Sequence, residues 1–204
     1  MSSSKRLTRK NSMSEVLQFD GFAPDAGEVR DAVIRGQFET VDYIDGAQYS
    51  GISRYPVEGW SECLAERLGK KIVPRISCFR LNLKGELPHS WVHSDGIAAG
   101  YAVVLYLNQP EQCTGGTAFW RHKELKIDRL PKADENGLYK RIEQDWKNLD
   151  LWEQTSMVKM EWNRLITYPT ALFHSRFPFE GFGTGPEDGR LIWICFYDLA
   201  EREQ

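Results

Sequence analysis

The sequence lacks long apolar runs, paired cysteine spacings and an excess of charge of one sign. Its longest apolar stretches, such as residues 191–197, are far shorter than the ~20 residues that cross a bilayer, so no membrane is expected as a partner. The four cysteines are scattered, which predicts free thiols and a reducing, cytoplasmic location. A formal net charge of −3 does not indicate nucleic acid as a partner.

The first residues also lack the apolar segment that follows the basic start of a secretory signal. Residues 1–15 are basic and rich in serine, and we expect a disordered tail there, with a transit peptide as the alternative. The remaining residues, 16–204, suffice for one buried core and are expected to form a single domain.

Along the chain, helical patterns come before strand patterns. A helix is predicted to begin after Pro24, and a second one is predicted between Pro56 and Gly69. Apolar runs bounded by Gly, Pro and Asn then predict strands over residues 72–83, 101–108, 118–121, 158–161, 164–169 and 190–197. This order favours a mainly β (α+β) fold, with two sheets and helices on one face.

A densely charged insert interrupts the strands at about residues 122–156. Within it, apolar residues recur at steps of three or four and predict an amphipathic helix: Leu138, Ile142, Trp146, Leu149 and Trp152. Two interpretations remain open, a surface helix that covers the sheet and a lid that recognises a substrate.

Histidine is scarce, and one of the four belongs to an H-x-D triplet. In an extended backbone His93 and Asp95 leave the same face, about 7 Å apart along the strand. His174 follows an apolar strand and is the candidate third ligand. Two imidazoles and one carboxylate form the facial triad that holds Fe(II) in non-haem oxygenases. His89, after Pro88, is expected in a loop, and His122 in solvent.

Several fragments around these residues occur in one collinear order. They read H-S-D-G at 93–96, V-L-Y-L-N at 104–108, G-G-T-A-F-W at 115–120, Y-P-T-A-L-F-H-S at 168–175 and G-R-L-I-W-I-C-F-Y at 189–197. Together they resemble the 2-oxoglutarate- and Fe(II)-dependent dioxygenases, in particular the prolyl-4-hydroxylase-like branch. The resemblance covers more than half of the chain.

The resemblance implies a double-stranded β-helix, that is, a cupin-like jelly roll of two four-stranded sheets. It implies that His93, Asp95 and His174 bind Fe(II) as the catalytic metal and that 2-oxoglutarate chelates it. By motif, Arg190 would hold the distal carboxylate of 2-oxoglutarate in a bidentate fork. Tyr106 occupies the position of a further carboxylate contact.

Two departures from the family pattern concern the same pocket. The strand at residues 78–82 has no tyrosine where prolyl hydroxylases often have one, so Asn82 or Arg80 takes its place in this interpretation. The stretch between His174 and Arg190 is long and rich in glycine. Arg176 is therefore a competing anchor, although we favour it as a substrate-side or supporting group.

The implied reaction consumes O2 and 2-oxoglutarate, releases succinate and carbon dioxide, and hydroxylates an unidentified substrate, with ascorbate as a candidate reductant. Asp95 favours hydroxylation, because related halogenases generally carry a small non-coordinating residue there. Trp91 and Trp120 are candidates for the substrate channel, with core packing as the alternative. Two rival functions stay open: a catalytically silent jelly-roll binding module, and a cupin-like metalloenzyme that does not use 2-oxoglutarate.

Overall fold

Two antiparallel sheets form the framework of the protein. The computed structural model describes residues 15–42, 47–88, 91–96 and 99–200. The larger sheet has the strand order β1-β8-β5-β10-β4-β3-β2 and the smaller one the order β7-β6-β9. The strands are β1 (Leu17–Phe19), β2 (Glu39–Asp42), β3 (Gln48–Ser53), β4 (Ile72–Asn82), β5 (Tyr101–Tyr106), β6 (Gly116–His122), β7 (Trp152–Lys159), β8 (Leu165–Pro169), β9 (His174–Phe177) and β10 (Arg190–Leu199).

Two helices cover the outer face of the larger sheet. Helix α1 (Ala26–Arg35) and helix α2 (Trp60–Leu68) each bury one apolar stripe. The Trp60 ring packs edge-on against Phe79 of β4 and Trp193 of β10. Helix α2 ends where the sequence predicts, because Gly69 adopts a left-handed conformation (φ 62°) that favours glycine. No helix in the described part of the chain is long and apolar enough to span a membrane.

The inner face of the larger sheet turns toward the smaller sheet. Alternation along β5 sends Val103 and Leu105 to the helix-covered core and Tyr106 to the space between the sheets. There Tyr168 of β8 meets Phe119 of β6 edge-on, with ring centroids 5.2 Å apart. The interior between the sheets is therefore apolar in its centre, and polar side chains occupy its two ends.

A single residue pair completes the smaller sheet. His93 and His174 exchange both backbone hydrogen bonds, at 3.0 and 2.8 Å, as an isolated antiparallel bridge beside β9. His93 thus takes the place of a fourth strand. The predicted jelly-roll class is confirmed, with sheets of seven and three strands in place of the two four-stranded sheets implied by the resemblance.

The insert forms less helix than the periodicity predicts. Helix α3 (Leu138–Asp145) ends before Trp152, which begins β7 in an extended conformation and donates from its indole to the Asp145 carbonyl at 3.0 Å. A short 3-10 turn at Leu149–Leu151 lies between them. The apolar pattern continues beyond α3 because the partly buried Leu149 and Leu151 of the turn pack against the same apolar cluster that contains Ile142 of α3 and Trp152 of β7.

His122 is fully buried, so the expectation that it is solvated is wrong. Its Nε2 lies 3.1 Å from a carboxylate oxygen of Asp145 on α3, and its Nδ1 accepts from the backbone N–H of Leu125 at 3.2 Å. This histidine therefore ties the insert to the end of β6. The predicted tail falls on residues outside the described part, apart from Glu15, which forms an ion pair with Arg129 at 2.7 Å.

Candidate active site

The three predicted metal ligands meet at one end of the interior. His93 lies on the bridge, His174 begins β9, and the backbone N–H of Asp95 is held by the Thr170 carbonyl at 2.9 Å. The Asp95 carboxylate oxygens lie 3.7 Å from Nε2 of His93 and 3.2 Å from Nε2 of His174. The three donor atoms lie within 4.8 Å of one another. His89 lies outside the described residues.

Backbone carbonyls orient both imidazoles. Nδ1 of His174 is 2.8 Å from the Leu172 carbonyl, and Nδ1 of His93 is 3.4 Å from the Trp91 carbonyl. Because a carbonyl only accepts, each Nδ1 carries a proton, and Nε2 is the nitrogen that each ring turns toward the other members of the cluster. Such a hydrogen bond at the distal nitrogen is the usual support of a metal-binding histidine.

The electrostatics of the cluster follow from three close titratable groups. Burial, together with repulsion from His174, lowers the pKa of His93 to about 4. Burial alone would lower the pKa of His174, but the adjacent Asp95 carboxylate outweighs it and the pKa is raised. For Asp95, burial opposes the effect of the two histidines, and the net result is a lowered pKa. The cluster holds a carboxylate and at least one neutral imidazole, the donor set of a metal centre.

The other end of the interior holds Arg190, buried at 4% exposure at the start of β10. Its Nη1 donates to the Asn82 side-chain oxygen at 3.2 Å, while its Nε is buried and has no hydrogen-bond partner among the described residues. It forms no ion pair with any residue in the described part of the chain. Burial lowers its pKa, and a buried charge without a counter-ion is costly unless an anion joins it.

Tyr106 lies beside this guanidinium. Its hydroxyl is fully buried and lies 2.7 Å from the hydroxyl of Thr117 on β6. Burial raises the pKa of Tyr106, and the nearby Arg190 offsets part of that rise. Thr117 was not singled out from the sequence, although it belongs to the G-G-T-A-F-W fragment at residues 115–120.

Strand β9 relates the two ends of the interior. His174 and Arg176 are two residues apart on β9, which corresponds to about 7 Å along a strand. On the facing strand β6, Phe119 pairs with His174 and Thr117 pairs with Arg176. The metal-ligand cluster and the Tyr106–Thr117 pair therefore lie about one such repeat apart.

Arg176 makes contacts that differ from those of Arg190. Its Nε donates to the Phe179 carbonyl and its Nη2 to the Glu86 carbonyl, both at 2.6 Å, and its Nη1 lies 3.6 Å from the Glu86 carboxylate. These bonds join the glycine-rich insert to the loop after β4. The insert lies close, since a Cβ on Gly181 would lie 2.2 Å from the Leu83 carbonyl oxygen.

Glu86, which the sequence analysis missed, is the acceptor in the middle of this group. One of its carboxylate oxygens accepts from Arg80 at 2.9 Å and from the Asn82 side chain at 3.0 Å. No sequence signal marked it, because it lies in an irregular loop four residues after Asn82. We call Arg80, Asn82, Glu86, Arg176 and Arg190 the arginine cluster.

The two tryptophans predicted near the substrate channel enclose a phenylalanine. Phe179 stacks on Trp91 at 5.1 Å and on Trp120 at 5.9 Å between ring centroids. The indole of Trp120 also donates to the Ser175 hydroxyl at 2.9 Å, within the apolar cluster under α3. Packing accounts for the position of both rings, and a role in substrate binding stays a prediction.

Comparisons with known proteins extend these observations. A model for a family of unknown function, DUF6445, matches residues 80–197, more than half of the chain. No curated protein matches the sequence. Among solved structures, AviO1 from Streptomyces viridochromogenes Tue57 has 12% sequence identity and a TM-score of 0.54, with 97% of this chain and 99% of that chain covered.

Two further solved structures with this fold are enzymes. The non-haem alpha-ketoglutarate-dependent carbocyclase SnoK from nogalamycin biosynthesis has 11% identity and a TM-score of 0.55, covering 90% of this chain and 79% of its own. A prolyl hydroxylase from Trichoplax adhaerens, in complex with a hypoxia inducible factor fragment, has 12% identity and a TM-score of 0.53, covering 90% and 83%. The fold is that of 2-oxoglutarate/Fe(II) oxygenases, which confirms the predicted resemblance.

Proposed function

The chain belongs to the family of unknown function DUF6445, and we propose that it is a non-haem Fe(II)- and 2-oxoglutarate-dependent oxygenase that hydroxylates a substrate. In this proposal residues 16–204 form one oxygenase domain. The observation that carries it is the pairing, in one interior, of a cluster of metal-binding donors with a buried guanidinium that has no ion-pair partner among the described residues.

The residues present fit both groups. His93, Asp95 and His174 would hold Fe(II) through the Nε2 atoms of both histidines and a carboxylate, with each Nδ1–H already donated to a backbone carbonyl. Arg190 would hold the distal carboxylate of 2-oxoglutarate, with Tyr106 donating its hydroxyl and Asn82 positioning the guanidinium. The metal-ligand cluster and the Tyr106–Thr117 pair lie about one two-residue strand repeat apart, roughly 7 Å. A five-carbon dicarboxylate such as 2-oxoglutarate is long enough to contact both.

When bound, Fe(II) and 2-oxoglutarate supply the oxidation: O2 is consumed, the oxo acid becomes succinate and carbon dioxide, and a substrate C–H bond gains a hydroxyl. The protein's residues bind and orient the participants. Asp95 would neutralise part of the metal charge, and the apolar interior around Phe119 and Tyr168 would exclude water from the reacting groups. We further propose a reducing, cytoplasmic setting, which the four free cysteines support.

The geometry favours this reading over the two rivals. A silent binding module has no need of three converging donors supported by carbonyls. A cupin-like metalloenzyme without 2-oxoglutarate has no use for a buried cation facing the same interior. Arg190 distinguishes the proposed function from both rivals, because its buried Nε has no hydrogen-bond acceptor among the described residues and a bound carboxylate would supply one.

Succinate release tests the proposal. The purified protein with Fe(II), ascorbate, O2 and 2-oxoglutarate should release succinate without added substrate, and Asp95→Ala should lower the rate by more than about a hundredfold. Asp31→Ala, which removes an exposed carboxylate on α1, is the matched control and should leave the rate unchanged. No succinate and no bound iron in the parent would point to the silent module. Bound iron without use of 2-oxoglutarate would point to the cupin-like enzyme.

A further inference from the structure

The arginine cluster contains more positive charge than the proposed co-substrate neutralises. Arg80, Arg176 and Arg190 carry three positive charges, and Glu86 is the one carboxylate that pairs with any of them in the described part of the chain. The distal carboxylate of 2-oxoglutarate would remove one more charge. One net positive charge is then left in a largely buried region, where an unpaired charge is costly.

Arg80 has a buried hydrogen-bond donor that no described residue accepts from. Its side chain is 16% exposed, its Nη2 donates to Glu86, and its Nε is buried with no hydrogen-bond partner in the part of the chain that the structure describes. Arg176, in contrast, donates to two backbone carbonyls and approaches the Glu86 carboxylate. Arg80 is therefore the member of the cluster, besides Arg190, with a free buried N–H.

The pairing of the strands places Arg80 at a distance from Tyr106, which lies in the proposed co-substrate position. Ile192 of β10 pairs with Arg80 on β4 and with Tyr106 on β5. The backbones of Arg80 and Tyr106 are therefore about 10 Å apart, two strand spacings, on the same face of the sheet. The Arg80 guanidinium lies over the Tyr49 ring of β3, at 5.1 Å from its centroid, on the side away from β5.

We propose that the primary substrate carries an oxyanion, a carboxylate or a phosphate, and that Arg80 binds it beside Glu86 and Tyr49. This inference rests on the proposed function, since it takes Arg190 and Tyr106 to be occupied by 2-oxoglutarate. Arg80 supplies its Nε–H and its charge, Tyr49 supports the plane of the guanidinium, and Glu86 fixes its orientation. Arg80 is thus a substrate-binding residue, distinct from the co-substrate anchor.

Anion binding to the loaded protein tests this assignment. The full chain is saturated with Mn(II) and 2-oxoglutarate, and inorganic phosphate and acetate are titrated separately by calorimetry. We expect one of the two anions to bind at one site per chain. Arg80→Gln should weaken that binding at least tenfold, and Arg80→Lys, which keeps the charge but not the planar fork, should weaken it less. Arg54→Gln, which removes an exposed guanidinium just after β3, should change it less than twofold.

The same variants separate the possible failures. Arg80→Gln should leave the dissociation constant of 2-oxoglutarate within threefold of the parent value, and its circular dichroism spectrum should match that of the parent. A loss of 2-oxoglutarate affinity as large as that in Arg190→Gln would overturn the assignment by placing Arg80 in the co-substrate site. Failure of the loaded parent to bind either anion would also overturn it, with the proposed function intact. A parent that binds neither Mn(II) nor 2-oxoglutarate would overturn both.

Discussion

Arg190 and Asn82 face each other across β10 and β4, and the amide oxygen of Asn82 is the one hydrogen-bond partner of the guanidinium among the described residues, at 3.2 Å. This relationship leaves the buried cation fixed in position but without a counter-ion. Arg176, two residues after His174, has its hydrogen bonds committed to two loops. The two arginines therefore differ in what their removal should do.

Replacing Arg190 should cost co-substrate affinity and little stability. A charge-assisted hydrogen bond is worth about 1.5–3 kcal/mol, so Arg190→Gln should raise the dissociation constant of 2-oxoglutarate by roughly 10- to 100-fold. Fluorescence titration in the presence of Mn(II) measures this change. Urea denaturation should show an unchanged or higher free energy of unfolding, because the variant removes an unpaired buried charge.

Replacing Arg176 should lower stability and change the affinity for 2-oxoglutarate little. Arg176→Gln removes two hydrogen bonds to partly buried loop carbonyls and should lower the free energy of unfolding by about 2 kcal/mol. Its effect on 2-oxoglutarate affinity should be much smaller than that of Arg190→Gln. If the ranking of the two affinities were reversed, Arg176 would be the anchor and Arg190 a structural residue.

His122 should be a stability determinant of the insert. His122→Ala removes a buried ring with both nitrogens hydrogen-bonded, and we expect a loss of about 3 kcal/mol in the free energy of unfolding. Arg141→Ala removes an exposed partner of the same Asp145 and should cost less than about 0.5 kcal/mol. If urea denaturation gave His122→Ala and Arg141→Ala the same loss in the free energy of unfolding, the buried imidazole would not be a stability determinant of the insert.

The turn before β6 should require glycine for two separate reasons. Gly115 has φ 68°, and a Cβ there would lie 1.8 Å from the Phe177 carbonyl oxygen, so Gly115→Ala must displace β9. Gly21 has φ 58° with nothing within 4 Å, so Gly21→Ala carries the backbone strain alone, about 1 kcal/mol. We expect Gly115→Ala to be destabilised by at least 2 kcal/mol more than Gly21→Ala, roughly the effect of forced overpacking. Thermal or urea denaturation of the two variants measures this difference.

The sequence allowed the strands and the metal ligands to be predicted because both depend on local pattern. Apolar runs bounded by Gly, Pro and Asn located β5 and β10, and H-x-D in extended backbone predicted a shared face for His93 and Asp95. The approach of His174 to His93 is a pairing between distant segments, which local pattern does not encode. The sequence alone made His174 a candidate third ligand, and the resemblance implied that it shares a metal with His93 and Asp95. The end of a helix was predicted correctly where a glycine terminates it, as Gly69 does for α2.

Other features depend on contacts that local pattern does not encode. The β2–β3 hairpin escaped prediction because its residues are largely exposed and polar, without apolar alternation. His122 was expected in solvent because its neighbours are charged, but α3 folds back over it. Arg176 was a competing anchor in the sequence because of the long stretch before Arg190, whereas its hydrogen-bond partners come from two loops that approach closely at Gly181.

The central claim is that a metal and 2-oxoglutarate share one site, which the linkage between their affinities tests most directly. The dissociation constant of 2-oxoglutarate should be measured by calorimetry with and without Mn(II), in the parent, in His174→Ala and in the control Asp31→Ala. We predict that Mn(II) tightens 2-oxoglutarate binding at least tenfold in the parent and the control, and not at all in His174→Ala. Binding of 2-oxoglutarate that is independent of Mn(II) in the parent, or linkage that survives in His174→Ala, would contradict the account.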